Sequence, residues 1–334
     1  MARTTLTRTV LAAVAATSLF ALGACSSDAG NEPAGGGNET AADDGVITLG
    51  FSQVGAESGW RAANTKSIQD TLTAENGFDL KFSDAQQKQE NQIQAIRTYI
   101  TQGVDVIAFS PVVETGWDAV LQEAKTAGIP VILTDRAVDS DDDTLYESFI
   151  GSDFVKEGTT AGEWVVENFD GDGLKVVELQ GTTGSAPAID RKEGFEAAID
   201  GSDVEVIDSQ TGNFTRAEGK TVMEGFLNKH DDIDLVFAHN DDMGLGAIEA
   251  IEAAGMKPGE DIQIVTIDAV KDGMQALADG KINYIVECNP LLGPDLAEIA
   301  QAVIAGEEVE KRIVVKDEAF DQAAAKEALP TREY

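Results

Sequence analysis

Aromatic plates and ionised hydrogen-bonding groups are concentrated in a few short segments of this 334-residue chain. The first reads QVGAESGWR over 53–61 and ends in Trp60 and Arg61. Others supply Asp135 and Arg136 (TDR), Arg191 (IDRKEGF), Phe214 (GNFTR), the run HNDDM over 239–243, Asp268 and Glu287. Carboxylates accept hydrogen bonds, while arginine and asparagine donate them. Hydrogen bonds to ionised groups are stronger than neutral ones. A ring of hydroxyls with apolar C–H faces matches that mixture. Trp60 and Phe214 would sandwich such a ring, while Asp135, Arg136, Arg191, Asn240, Asp241 and Asp268 would bind its hydroxyls. Each residue also has a plainer explanation. The two aromatics could be core residues, and Asp135 and Arg136 a surface pair of little worth. Asn240, Asp241 and Asp242 could cap the helix that starts near Met243.

Other chemistries are less well served. GTTGS over 181–185 lacks the lysine ending of a phosphate loop and the glycine spacing of a dinucleotide site. His230 and His239 are too few and too isolated for zinc, and the acidic run 139–143 lacks the spaced ligands of a calcium loop. No metal or cofactor is expected. A glycosidase would need paired carboxylates, Asp241 or Asp268 with Glu287, but hydroxyl binding accounts for the same residues, so the chain is not expected to be an enzyme.

The elements that position these groups follow from hydrophobic periodicity. Short apolar runs at 46–51, 80–83, 104–109 and 131–133 read as strands, and helical stretches at 61–75, 90–102 and 116–127 lie between them. In the second of these, Ile93, Ile96 and Ile100 share one face. After 145–150 a second cycle follows, with strands at 175–179, 204–207, 235–238 and 262–267 and helices at 216–227 and 244–254. This alternation predicts an α/β fold of two doubly wound, Rossmann-like lobes, each a parallel sheet covered on both faces. Ligands of such sheets bind beyond the carboxyl ends of the strands, where the segments above fall.

The N-terminus carries a different signal. Arg3 and Arg8 precede an apolar run and then Leu22-Gly23-Ala24-Cys25, the layout of an export signal over 1–24. The ending resembles a bacterial lipobox, in which cleavage leaves Cys25 as a lipidated first residue; the alternative is an ordinary signal with a chance cysteine. Residues 25–45 read as a flexible tether. The globule is then expected outside the cytoplasm, anchored to the cell membrane by lipid on Cys25. With 24 basic against 60 acidic residues the net charge is -36, which argues against nucleic acid and against direct adhesion to anionic lipid. Cys25 and Cys288 are the two cysteines. If the first carries lipid, the second has no intramolecular partner, and the fold stands without a disulfide.

The stretches GFSQVGAESGWRAAN, DAQQKQENQIQAIR, PVVETGW, VVELQGTTGSAPAIDRKEGF, GNFTR and AHNDDMGLGAI resemble the ribose/galactose-type periplasmic sugar-binding family of bacterial ABC importers, from about residue 46 nearly to the C-terminus. The resemblance implies the type I periplasmic binding protein fold, with two lobes joined at a hinge by three crossing segments. One lobe would take 46–150 plus 290–315, the other 151–289 plus 316–334. It implies stacking by Trp60 and Phe214, and hydroxyl binding by Asp135, Arg136, Arg191, Asn240 and Asp268. Glu57, Arg61 and Glu287 or its neighbour would add contacts, whereas Gln86 and Gln87 serve either the site or the lobe's structure. The implied ligand is one monosaccharide, a furanose-form sugar such as galactofuranose, with fructose and pentoses taken by some relatives. The implied partners are a membrane permease and its cytoplasmic ATPase, served by a monomer. A sensory module presenting sugar to a membrane receptor would have the same fold. The sequence departs from the pattern at Ala269, where glycine is expected, and at Cys288.

Overall fold

In a computed structural model, which describes residues 45–169 and 173–334, the alternation expected from the sequence becomes two sheets. The signal, Cys25 and nearly all of the expected tether lie outside the described residues. The chain opens with β1 (Ile47–Gln53), α1 (Gly59–Thr71), β2 (Phe78–Asp84), α2 (Gln89–Gln102) and β3 (Val106–Phe109). It continues through α3 (Asp118–Ala127), β4 (Val131–Thr134), β5 (Ser148–Gly151) and α4 (Phe154–Asn168). Next come β6 (Leu174–Gln180), α5 (Ala186–Ile199), β7 (Val204–Thr211), α6 (Arg216–Lys229), β8 (Leu235–Ala238) and α7 (Asp241–Ala253). The last elements are β9 (Gln263–Asp268), α8 (Lys271–Ala278), β10 (Tyr284–Glu287), α9 (Gly293–Ala305), β11 (Arg312–Val314), β12 (Ala319–Phe320) and α10 (Gln322–Ala328).

The first sheet has the order β11-β5-β4-β3-β1-β2 and the second β12-β10-β9-β8-β6-β7. All pairings are parallel except that of β12 with β10. Both lobes thus share one doubly wound core order, reversing direction beside their first strand, where such sheets leave a crevice. β3, β4 and β8 are buried at every position, as central parallel strands require. β2, at an edge, exposes Asp79 and Lys81, charges that discourage edge pairing.

Strand alternation divides each core into two layers. In the first lobe Leu49, Phe51, Val106 and Ile132 meet Ile68 of α1 and Leu296 of α9. From the other face Ile107, Phe109 and Leu133 meet Ile96 of α2 and Leu121 of α3. In the second lobe Val176, Phe237 and Val265 pack under Phe154 of α4 and Phe195 of α5, while Val236 and Ile264 pack on Met223 and Ile251. The chain passes between the sheets three times: from β5 into α4, from β10 into α9, and from β11 into β12. Among the described residues no helix is long and apolar enough to cross a membrane.

Candidate functional site

The helices that follow the strands begin with their N-termini at the crevice, held by the side chains the sequence supplies there. Ser58 caps α1 by accepting from Arg61 N at 3.1 Å. Thr215 caps α6 through Glu218 N, and Asn240 caps α7 through Met243 N. Residues from both lobes then line a cavity that is partly open to solvent. Its walls include Glu57, Trp60, Arg61, Asp135, Arg136, Arg191, Phe214, Asn240 and Asp268, together with Ser58, Pro187 and Cys288.

On the first-lobe wall Arg61 organises the charges. Its Nε donates to Glu57 Oε1 at 3.0 Å and its Nη2 to Asp135 Oδ2 at 2.6 Å. Ser110, at the end of β3, donates to the same Asp135 oxygen at 2.8 Å. Asp135 and Arg136 are not a surface pair: they are 4% and 3% exposed. Arg136 reaches Val112 O at 3.3 Å and Glu57 Oε1 at 3.5 Å. Burial, then the neighbouring Arg61, brings its guanidinium down to about 10. Two buried polar atoms of this wall lack a hydrogen-bond partner, Glu57 Oε2 and Arg136 Nε, the latter 3.7 Å from Asp135 Oδ2.

On the second-lobe wall Arg191 is central. Its Nε donates to Glu157 Oε2 at 2.7 Å, its Nη1 to His239 O at 2.6 Å, and its Nη2 lies 3.7 Å from Asp268 Oδ1. Burial raises the Asp268 carboxyl well above its ordinary value, against the pull of Arg191. It also lifts Glu157 to about 7, opposed by the same guanidinium. Trp60 projects from α1 into the second lobe's apolar cluster, where its Nε1 donates to Cys288 O at 2.6 Å. Phe214 lies flat on Gly181, where a methyl group would stand 1.9 Å from the ring's Cζ. Arg136 and Arg191 flank that ring at 5.2 and 6.0 Å. Behind it His239 pairs with Glu178 at 3.0 Å.

The backbone is unusual around this cavity. Asp135, Asn213, Phe214, Asp268 and Ala269 all have positive φ without being glycine. Ala269, at φ 62°, occupies the left-handed geometry for which glycine was the expected residue. Gln86 and Gln87 share that geometry in the loop after β2, away from the cavity lining.

Nine of the eleven expected ligand residues therefore meet at one cavity, and two do not. Asp241 accepts from Thr266 Oγ1 at 2.5 Å and Val270 N at 2.8 Å, tying the turn after β9 from behind. Glu287 is held from the far side by Arg332 at 2.7 Å and Tyr334 at 2.6 Å, while Arg332 Nε also donates to Ala269 O at 2.7 Å. The carboxylate pairs considered for glycoside hydrolysis each need Glu287, which does not face the cavity. Asn240 lines the cavity, but its amide is committed to the α7 cap and to Phe214 O at 3.1 Å. Arg191 sits on helix α5 rather than in a loop.

Glu157 and Ser110 escaped the sequence reading. For Glu157 a signal did exist. Gly158 and Gly162, four residues apart, let α4 approach α5 so closely that a Cβ on Gly158 would fall 2.1 Å from Arg191 O. The carboxylate and the guanidinium meet at that close contact.

The periplasmic binding protein domain model matches residues 49–308. The chain is 47% identical over 288 residues to the galactofuranose-binding protein YtfQ of Escherichia coli (strain K12), covering 85% of this chain and 90% of that one. It is 40% identical over 327 residues to the fructose import binding protein FruE of Bifidobacterium longum (strain NCC 2705), covering 96% of each. A crystal structure from Mycobacterium smegmatis in complex with β-D-fucofuranose is similar with a TM-score of 0.85 and 63% identity, covering 86% of this chain and 96% of that one. The fold, the cleft and these likenesses agree: the chain belongs to the periplasmic binding protein family.

Proposed function

We propose that this chain is an extracytoplasmic receptor that captures one monosaccharide in furanose form, galactofuranose or a close relative, and delivers it to an ABC permease driven by a cytoplasmic ATPase. The observation that carries this reading is the pair of unpartnered buried atoms, Glu57 Oε2 and Arg136 Nε, on one cavity wall. One can only accept a hydrogen bond and the other can only donate. Hydroxyls both donate and accept and so match the pair, whereas an ammonium would leave Arg136 unmatched and a carboxylate would leave Glu57 unmatched. Three arginines and three carboxyl groups line the cavity, a balance that also favours an uncharged ligand. Trp60 and Phe214 supply the plates for its C–H faces, and Arg61, Asp135, Arg191 and Asp268 supply further polar contacts. The relatives that bind galactofuranose and fucofuranose support the choice of ring form.

The lobes are assigned as 46–150 plus 290–315 and 151–289 plus 316–334. The receptor works as a monomer, anchored by lipid on Cys25. Closure over the sugar requires that the closed form bind it better than the open form, since equal affinity shifts nothing. The permease then reads the closed shape. Calorimetry against galactofuranose, galactose, fructose, ribose and arabinose tests the proposal. Binding of a furanose-forming sugar is expected, and failure of a folded sample to bind any of them overturns it.

A further inference from the structure

The run Asn240-Asp241-Asp242 contains three similar side chains with three different duties. Asn240 caps its own helix and Asp241 ties the turn after β9. The carboxylate of Asp242 leaves its lobe: Oδ2 accepts from Gly59 N at 2.7 Å, across 183 residues of sequence. Its other oxygen lies 3.4 Å from Arg216 Nε. Gly59 opens α1, and the first amides of a helix have no partner within it. A carboxylate there also meets the positive end of the helix dipole. Asp242 is 9% exposed and does not line the cavity, yet Glu57, Ser58, Trp60 and Arg61, on either side of Gly59, all do.

We propose that Asp242 is a positioning residue that clasps the second lobe to the α1 end of the first and sets how long a captured sugar is held, without touching it. The inference rests on the proposed function. A bond between lobes contributes to the closed arrangement alone, so it shifts the opening equilibrium rather than the sugar contacts. Its loss acts on departure, because entry takes place before the clasp forms. Two other bridges, from Trp60 Nε1 to Cys288 O at 2.6 Å and from Glu114 N to Gly184 O at 2.9 Å, do not involve Asp242.

The test uses the full chain as wild type, Asp242→Asn and Asp242→Ala, with L-arabinose, D-fucose and D-galactose as probes. Stopped-flow fluorescence is expected to show dissociation faster by about tenfold or more in Asp242→Ala, the scale of a charge-assisted hydrogen bond. Association should stay within about threefold, and the dissociation factor should be the same for every sugar that binds. Asp242→Asn, which keeps a neutral acceptor, should fall between, and it carries the test if the alanine variant does not fold. Unchanged dissociation overturns the proposal, as does a factor that differs among sugars, which would mark direct contact. Amide exchange at Gly59 should be faster in Asp242→Ala when sugar is bound, and equal rates in the bound forms overturn the proposal. If wild type binds neither these probes nor galactofuranose, fructose and ribose, the proposed function falls and the clasp with it; sugar binding with unchanged dissociation in the variants overturns the clasp alone.

Discussion

Glu57 and Arg136 line one cavity, and each carries a buried polar atom without a hydrogen-bond partner. Arg136→Ala and Asp268→Ala are each expected to weaken sugar binding by more than about tenfold, the worth of a hydrogen bond to a charged group, with thermal melting little changed. Calorimetry beside a melt separates the two effects, and wild-type affinity in either variant removes that residue from the site. Glu157 gives a pH prediction. Its folded carboxyl titrates at about 7 against an ordinary 4.5. Between those values the native state keeps a proton that the unfolded chain has released, so this group's contribution to stability falls as pH rises. Glu157→Gln should flatten the pH dependence of stability over that window by up to about 3 kcal/mol. Denaturation curves that move in parallel for both proteins would refute this. Residue types were legible at this scale because hydroxyl recognition demands them. Their commitments were not: Asp241 and Asp242 are identical neighbours, and only packing sends one into its own lobe and the other across the cleft.

The elements were readable where burial follows a period and obscure where function interrupts it. The buried runs of β1, β3, β4 and β8 stood out because central parallel strands are apolar throughout. Helix α5 did not, since its buried face includes Arg191 and Gly194 beside Phe195 and Ile199 and so lacks an apolar stripe. The left-handed backbone at Asp135, Phe214 and Asp268 was equally hidden, because no glycine marks it. Two glycines test this level. Gly181→Ala should push the Phe214 ring off its seat and lower sugar affinity more than about tenfold while the fold persists, as calorimetry beside a thermal melt would show. Gly194→Ala would set a methyl group 2.1 Å from Val155 O. Separating α4 from α5 in this way should cost about 1–3 kcal/mol in urea unfolding, and should weaken binding through Arg191.

At the scale of the molecule, two sheets of matching order and three chain crossings make a hinged pair whose parts come from distant stretches of sequence. The twofold cycle of strands and helices was legible because it is repeated. The return of α9 to the first lobe followed from the family resemblance and not from periodicity, since an amphipathic helix fits either sheet equally well. Anchoring belongs to this scale too. A chain with a net charge of -36 is not drawn to anionic lipid, so under the proposed anchoring Cys25→Ser should shift the protein from the membrane fraction to the soluble fraction, and retention at the membrane would count against the lipid anchor. The residues near the C-terminus carry a practical lesson. Arg332 and Tyr334 brace Glu287 and the Ala269 carbonyl, next in sequence to Cys288 and Asp268 of the cavity lining. A reporter or purification handle spliced on after Tyr334 would tug at that brace, so anyone building a sugar biosensor from this scaffold should attach the readout elsewhere.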